Sequence, residues 1–354
     1  MTTGSAPIRV LGVGAGYFSQ FQYAAWQADP RVELVGVVDT DEAKAQVTAQ
    51  QYDAGAHFTD MDTALSTCTP DLVDIITPPP AHLGLIERTM EQRIPTICQK
   101  PLCGGLDGAR VAADLAARAD TFLVVHENFR FQPWYRKAKA MMDEGRLGDI
   151  YQVTFRLRPG DGQGPNAYLD RQPYFQKMER LLIYETGLHF IDTFRYLLGE
   201  PDTIWADLRR LNPAIAAEDA GLLVFGYEDG KRALFDGNRL ADHAAEDQRC
   251  TMGEALIEGS QGTLELFGSG QLFFRRHGDT QAQEVDMPDW PKTFGGGCVA
   301  ALQAHVIDHM ISDAPLENEV RDYIWNLEWM EAAYASHHTG RRLDLASWRE
   351  GQAT

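Results

Sequence analysis

Short apolar runs alternate with amphipathic stretches over the first third of the chain. Ile8–Val13, Val32–Val38, Leu72–Ile76, Thr96–Cys98 and Phe122–Val125 are short, mostly apolar segments, and they predict buried strands. Phe18–Gln27, Asp41–Gln51 and Leu106–Arg118 read as helices, and Ala81–Gln92 as an amphipathic one. A helix between two strands returns the chain to run in the same direction. This part therefore predicts an α/β domain with a doubly wound parallel sheet.

The pattern changes after Glu127. Trp134–Glu144 reads as a helix, Gly145–Gly148 as a turn, and Ile150–Leu157 as a strand with one buried face. Pro159–Pro165 is glycine-rich and predicts a loop, and Tyr184–Leu198 predicts a helix closed by Gly199. Thr203–Leu208, Gly221–Tyr227, Arg232–Asp236, Glu254–Glu258, Thr263–Phe267 and Leu272–Arg275 then follow one another without helices between them, which predicts antiparallel pairing. Helices at Cys298–Ser312 and Glu319–His338 close the chain. The expected domains are 1–127 and 128–354.

Composition narrows the function classes. A length of 354 residues suits two domains, and 44% hydrophobic residues supply ordinary cores. The net charge of −19 argues against nucleic acid and against anionic membrane surfaces, since both need cationic partners. No apolar run approaches the roughly 20 residues of a membrane span. Met1–Pro7 is short and polar, unlike a signal peptide, so a cytoplasmic setting is expected. The five cysteines form no Cys-x-x-Cys pair, so neither a metal centre nor a disulfide framework is expected.

Gly14-Ala15-Gly16-Tyr17-Phe18-Ser19 follows the first strand and opens a helix, a G-x-G-x-x-G pattern ending in serine. Gly14 allows the tight turn, Gly16 allows a pyrophosphate to approach the backbone, and the helix N-terminus with Tyr17 and Phe18 supplies amide donors. Ser19 is small enough for close helix–strand packing. Asp39 ends the second strand, 23 residues beyond Gly16, where a carboxylate accepts from ribose hydroxyls and repels a 2′-phosphate. Thr40 and Asp41 follow without an arginine, so NAD is favoured over NADP. The plainer reading of Asp39 is a helix cap. Thr77, Pro78 and His82, after the third strand, are candidates for the nicotinamide side.

Lys100 ends a buried strand at Gln99-Lys100-Pro101, where open α/β sheets place ligands. Glu185 and His189 are four apart on an expected helix and share one face, and Asp192 extends it. Such a pair is ordinarily a solvated surface pair, and a zinc site would lack a third ligand. Together with an NAD site, Lys100 or His189 supplies the proton acceptor that alcohol oxidation needs.

The chain resembles the glucose–fructose oxidoreductase / inositol dehydrogenase / MocA family, nearly end to end. The resemblance rests on Gly14-Ala15-Gly16, on Asp74-Ile75-Ile76-Thr77-Pro78-Pro79 with His82, and on Gln99-Lys100-Pro101, where the family has Glu-Lys-Pro. It rests also on Asn128, Arg130, Phe131 and Pro133, on Glu185-x-x-x-His189-x-x-Asp192, and on Ile257–Leu264. It implies a Rossmann domain followed by an α/β domain with a large, mostly antiparallel sheet whose open face builds homodimers or homotetramers. By the resemblance, Lys100 binds the substrate hydroxyl and assists proton transfer, and His189 is the general acid/base. Glu185 stands where the family has aspartate, and Gln99 and Lys100 lie on the cofactor side.

The resemblance implies an NAD-dependent dehydrogenase of a sugar or polyol. Asn128, Arg130, Arg158 and Tyr168 join Lys100, Glu185 and His189 as expected substrate-binding residues, and Arg156, Arg158 and Arg171 suit a sugar acid. A surface loop with scattered charges is the plainer reading of the Arg156–Arg171 stretch. The Cys98–Pro101 segment with Glu185-Thr186-Gly187-x-His189 resembles the apiose-dehydrogenase branch, one of several aldoses that fit. A non-catalytic NAD-binding regulator and an NAD-recycling glycoside-cleaving enzyme are the alternatives.

Overall fold

The computed structural model describes residues 6–292 and 294–352, so most of the Met1–Pro7 segment lies outside the described residues. Two compact units emerge. One runs up to Asn128 and includes Val299–Trp325; the other comprises Phe129–Cys298 and the chain from Asn326 onward.

The first unit is built on β1 (Ile8–Val13), α1 (Ser19–Ala28), β2 (Val32–Val38), α2 (Glu42–Gln51), β3 (His57–Phe58), α3 (Met61–Cys68), β4 (Leu72–Ile75), α4 (His82–Glu91), β5 (Thr96–Gln99), α5 (Leu106–Ala119) and β6 (Leu123–His126). Its six strands lie in the order β3-β2-β1-β4-β5-β6, all parallel. The order reverses between β1 and β4, the switch point outside which a doubly wound sheet opens its ligand crevice. The core strands are mostly apolar rather than alternating, as expected where helices cover both faces of a sheet. β3 and α3 have no counterpart in the hydrophobic pattern. The signal for α3 lies in its cap: Asp60 accepts from the Thr63 amide at 2.8 Å and its hydroxyl at 2.7 Å.

The second unit contains α6 (Pro133–Asp143), β7 (Ile150–Leu157), α7 (Leu188–Leu198), β8 (Thr203–Arg209), β9 (Ala220–Gly226), β10 (Arg232–Asn238), β11 (Gly253–Gly259), β12 (Gly262–Leu266), β13 (Leu272–Arg276) and β14 (Gln283–Glu284). β15 (Leu343–Asp344) joins them in a nine-stranded sheet of order β14-β13-β12-β11-β7-β10-β9-β8-β15. Every pair is antiparallel except β7 with β10. One face is packed: Phe190 of α7 stacks on Phe155 at 3.9 Å and on Phe235 at 5.3 Å. On the other face a half-buried row of Trp205, Val224, Leu234, Thr154 and Leu256 crosses five strands in register.

The helix expected over Tyr184–Leu198 is two structures. A π-helical turn spans Leu182–Gly187, and the α-helix begins only at Leu188. Single π turns inside helices often mark functional sites. Among the described residues, no helix is long and apolar enough to cross a membrane.

Candidate active site

The carboxyl edge of the parallel sheet gathers Gly14 after β1, Asp39 after β2, Thr77 beyond β4, Lys100 after β5 and Asn128 beyond β6. Gly14 has φ +113°, and a Cβ there would lie 2.9 Å from the Ile76 carbonyl, so only glycine fits. Its amide donates to Val38 O at 2.7 Å, closing the turn against β2. A Cβ on Gly16 would meet nothing within 4 Å, so this residue faces open space at the start of α1. Tyr17 is exposed beside it, and Phe18 packs on Phe21 at 5.3 Å. The close helix–strand approach is made by Gly12, where a Cβ would strike the Tyr23 ring at 2.2 Å. Ser19, buried at the start of α1, closes the loop, donating from Oγ to Gly16 O at 2.7 Å.

Asp39 accepts from the Ala15 amide at 2.8 Å and the Asp41 amide at 2.9 Å, one on each oxygen. It thereby fixes the glycine loop and retains acceptor capacity on both oxygens. The cap of α2 is Asp41, whose carboxylate accepts from Ala43 and Lys44. Thr77 Oγ1 is buried without a hydrogen-bond partner. Its carbonyl accepts from His82 Nε2 at 2.8 Å, and His82 Nδ1 in turn accepts from the Cys103 amide at 3.3 Å. Burial pushes the His82 pKa down, which favours the neutral ring that this pair of bonds requires. His82 is thus spent in joining the Thr77-Pro78 loop to the loop that follows Lys100. Pro78 is exposed in an extended conformation.

Lys100 is half-buried, and its peptide bond to Pro101 is cis. Gln99 is buried, donating to Gln22 Oε1 at 2.6 Å and accepting from the Lys100 amide at 3.2 Å. Asn128 is buried, and its Nδ2 has no hydrogen-bond partner. The glycine pair, the carboxylate of Asp39 and the orphaned Thr77 hydroxyl at one sheet edge fit a dinucleotide.

In the second unit, Glu185 lies half-buried in the π turn. Burial and the Glu185 carboxylate together raise the Tyr174 and Tyr184 phenols. His189 follows in the first turn of α7 and stacks flat on Phe129, with centroids 3.9 Å apart and planes 5° from parallel. That stack fixes the plane of the imidazole. Phe129 carried no functional signal in the sequence.

The other expected residues have protein partners. Arg130 donates from Nε and Nη2 to the two oxygens of Asp192 at 2.7 and 2.6 Å, and Asn326 adds a third bond to Asp192 at 2.8 Å. Arg158 donates to the carbonyls of Leu157 and Asp236 and to the Asp236 carboxylate at 2.5 Å. Tyr168 accepts from Arg239 Nε at 2.7 Å. Arg239, almost wholly buried, also donates to Thr186 Oγ1 at 2.7 Å and to Asp161 at 2.9 Å. It therefore ties the Pro159–Pro165 loop to the π turn beside Glu185. Its sequence context carries no functional signal. Among the described residues there is no cluster of three metal-ligating side chains.

Residues 8–127 match the model of an oxidoreductase family with an NAD-binding Rossmann fold, and residues 135–269 match the GFO/IDH/MocA C-terminal domain. A D-apiose dehydrogenase of Paraburkholderia graminis is 29% identical over 344 residues, covering 95% of this chain and 89% of that protein. An inositol 2-dehydrogenase of Rhizobium meliloti is 30% identical over 260 residues, 71% of this chain and 73% of that one. The crystal structure of an oxidoreductase from Agrobacterium radiobacter, in complex with NAD+, L-tartaric acid and magnesium, is similar with a TM-score of 0.87. It is 25% identical, covering 97% of this chain and 100% of that one.

Proposed function

The chain belongs to the GFO/IDH/MocA family of NAD-binding oxidoreductases, and from that membership we propose that it oxidises an aldose, with apiose to its lactone as the leading reaction. It is an NAD-dependent oxidoreductase acting on CH–OH groups. The observation that carries the finer reading is Lys100 at the end of β5, on the same sheet edge as the glycine loop and Asp39. The similarity to D-apiose dehydrogenases over 95% of the chain supports the substrate.

Asp39 accepts from the adenosine ribose hydroxyls, and the amides around Gly16 meet the pyrophosphate. Bound NAD supplies the hydride acceptor. The Lys100 ammonium donates to the substrate hydroxyl oxygen and lowers the cost of its deprotonation. His189, its ring held by Phe129, takes the proton, and Glu185 steadies the charge that forms. Asn128 donates to a sugar hydroxyl, and Arg130, Arg158 and Tyr168 shape the sugar side through the partners they hold. The open row from Trp205 to Leu256 serves homodimer or homotetramer contacts, which light scattering would measure.

NADH absorbance with NAD and a panel of aldoses, polyols and sugar acids, repeated with NADP, tests the reading. Lys100→Ala and His189→Ala should each lower turnover by about 10²–10⁴-fold. Full activity in either variant removes that residue from the chemistry. NAD binding without turnover of any sugar would favour a regulator, and nitrophenyl glycoside cleavage without net NADH would favour an NAD-recycling enzyme.

A further inference from the structure

A chain of buried polar side chains crosses the first unit and ends at Lys100. Asp74, in β4 with no exposed surface, accepts from Trp26 Nε1 at 2.8 Å and from Gln22 Nε2 at 2.9 and 2.8 Å. Gln22, equally buried, presents Oε1 to Gln99 Nε2 at 2.6 Å. Gln99 presents Oε1 to the Lys100 amide at 3.2 Å. Gln303 closes the far side, donating to Gln22 O at 3.3 Å.

Each link dictates the next. An ionised carboxylate has only acceptors, so Asp74 draws the NH2 of Gln22 toward itself. The Gln22 carbonyl must then face Gln99, which has to answer with a donor. Gln99 turns its own carbonyl to the backbone of Lys100. A glutamate at position 99, the residue of the family motif, could not donate to Gln22. It would set a second buried carboxylate against a carbonyl oxygen, and a half-satisfied buried network is worse than none.

We propose that Asp74, Gln22 and Gln99 form a directional hydrogen-bond chain that positions the backbone of Lys100, and that the Asp74–Gln22 pair is what requires an amide rather than a carboxylate at position 99. The significance for turnover rests on the role assigned above to Lys100; the chain itself does not. Gln99 is a positioning residue, acting through Lys100.

The direction of the chain can be reversed, and that supplies the test. Asp74→Asn keeps an acceptor for Trp26 and adds a donor for Gln22. Gln22 can then turn over and donate to a carboxylate introduced by Gln99→Glu. Melting temperatures of the full-length wild type, Asp74→Asn, Gln99→Glu and the double variant form a double-mutant cycle. Gln99→Glu alone should lower the melting temperature by about 5 °C or more, and the double variant should recover most of that loss.

Hydrogen exchange by mass spectrometry reads the positioning directly. Gln22→Leu, which leaves Gln99 in place but unoriented, should speed exchange of the Lys100 amide about tenfold. On a sugar that the wild type oxidises, Gln99→Glu should lower kcat about tenfold. Additive melting temperatures would overturn the directional chain. Coupled melting temperatures with unchanged Lys100 exchange would overturn the positioning role. Both measurements are made without substrate, so they stand apart from the turnover of Lys100→Ala, whose full activity would remove the catalytic reading alone.

Discussion

Replacing Arg130 with methionine separates two roles that one guanidinium could play. In the structure, its Nε and Nη2 grip the Asp192 carboxylate at 2.7 and 2.6 Å. The side chains are 8% and 1% exposed, so water does little to screen the pair. Without Arg130 the carboxylate keeps Asn326, at 2.8 Å, in a buried site. Removing one partner of a buried ion pair costs about 3–5 kcal/mol, because the other charge stays desolvated. For a unit of about 200 residues each kcal/mol moves the melting temperature by about 2–4 °C, so Arg130→Met should lower it by about 10 °C. Arg130→Met with Asp192→Leu removes both charges and should recover most of the loss. Differential scanning fluorimetry on the two variants, with KM for the sugar measured alongside, gives the answer. A variant with wild-type melting temperature and a KM raised tenfold would refute the packing argument and give Arg130 to the substrate.

Asp39→Ala should weaken NAD binding by about 10- to 100-fold, the loss of charge-assisted hydrogen bonds to ribose, and should narrow the preference over NADP; unchanged dissociation constants for both nucleotides would sink the assignment. Burial pushes the Asp74 carboxyl up to about 6, above its unfolded value near 4. Its contribution to stability is therefore full below about pH 4 and lost as pH rises through about 6, a swing of about 3 kcal/mol. Asp74→Asn lacks that loss, so its melting temperature should gain on the wild type between pH 4 and 7; a gap that stays constant with pH would contradict the shift. Arg239→Met removes donors to Tyr168, Thr186 and Asp161 and should destabilise the second unit by about 3 kcal/mol or more. Denaturant midpoints would show it, and a loss under about 1 kcal/mol would mean the cluster is dispensable.

The hydrophobic pattern carried both sheets, one through alternation and the other through short apolar runs. Ile150–Leu157 alternates, and its buried residues Val153, Phe155 and Leu157 lie on the packed face. The parallel strands were legible as short, mostly apolar runs, although Arg9, Glu33 and Asp74 interrupt them. His57–Phe58 is too short to show a period, and Met61–Cys68 announces itself only through the Asp60 cap. The π turn at Leu182–Gly187 is invisible to pattern, since one extra residue per turn leaves composition unchanged. It also alters the i, i+4 argument, because Glu185 and His189 straddle the change from π to α geometry. Asp192, read as extending their face, is engaged by Arg130 and Asn326.

The residues picked from sequence at the first unit's sheet edge hold one another, through His82 and Gln99, and are backed by Gln22, which carries no signal in the sequence. Lys100 is gripped from both sides of the chain. Before it, Gln99 is oriented through Gln22 by Asp74. After it, the Cys103 amide is tied by His82 to the Thr77 carbonyl beyond β4. A lysine side chain has four torsions and loses about 2 kcal/mol of freedom when it is fixed. Fixing the backbone on both flanks confines the search to those torsions, so the ammonium samples a small volume at the sheet edge rather than the arc of a loose loop. Orientation of this kind is what converts a charge near a crevice into a group that meets one hydroxyl. The supporting polar side chains Gln22, Asp74, His82 and Gln99 are all buried, where an unpaired polar group is costly. That cost makes the arrangement all-or-none, and it explains why one glutamine departing from a family motif is matched by an amide and a carboxylate behind it.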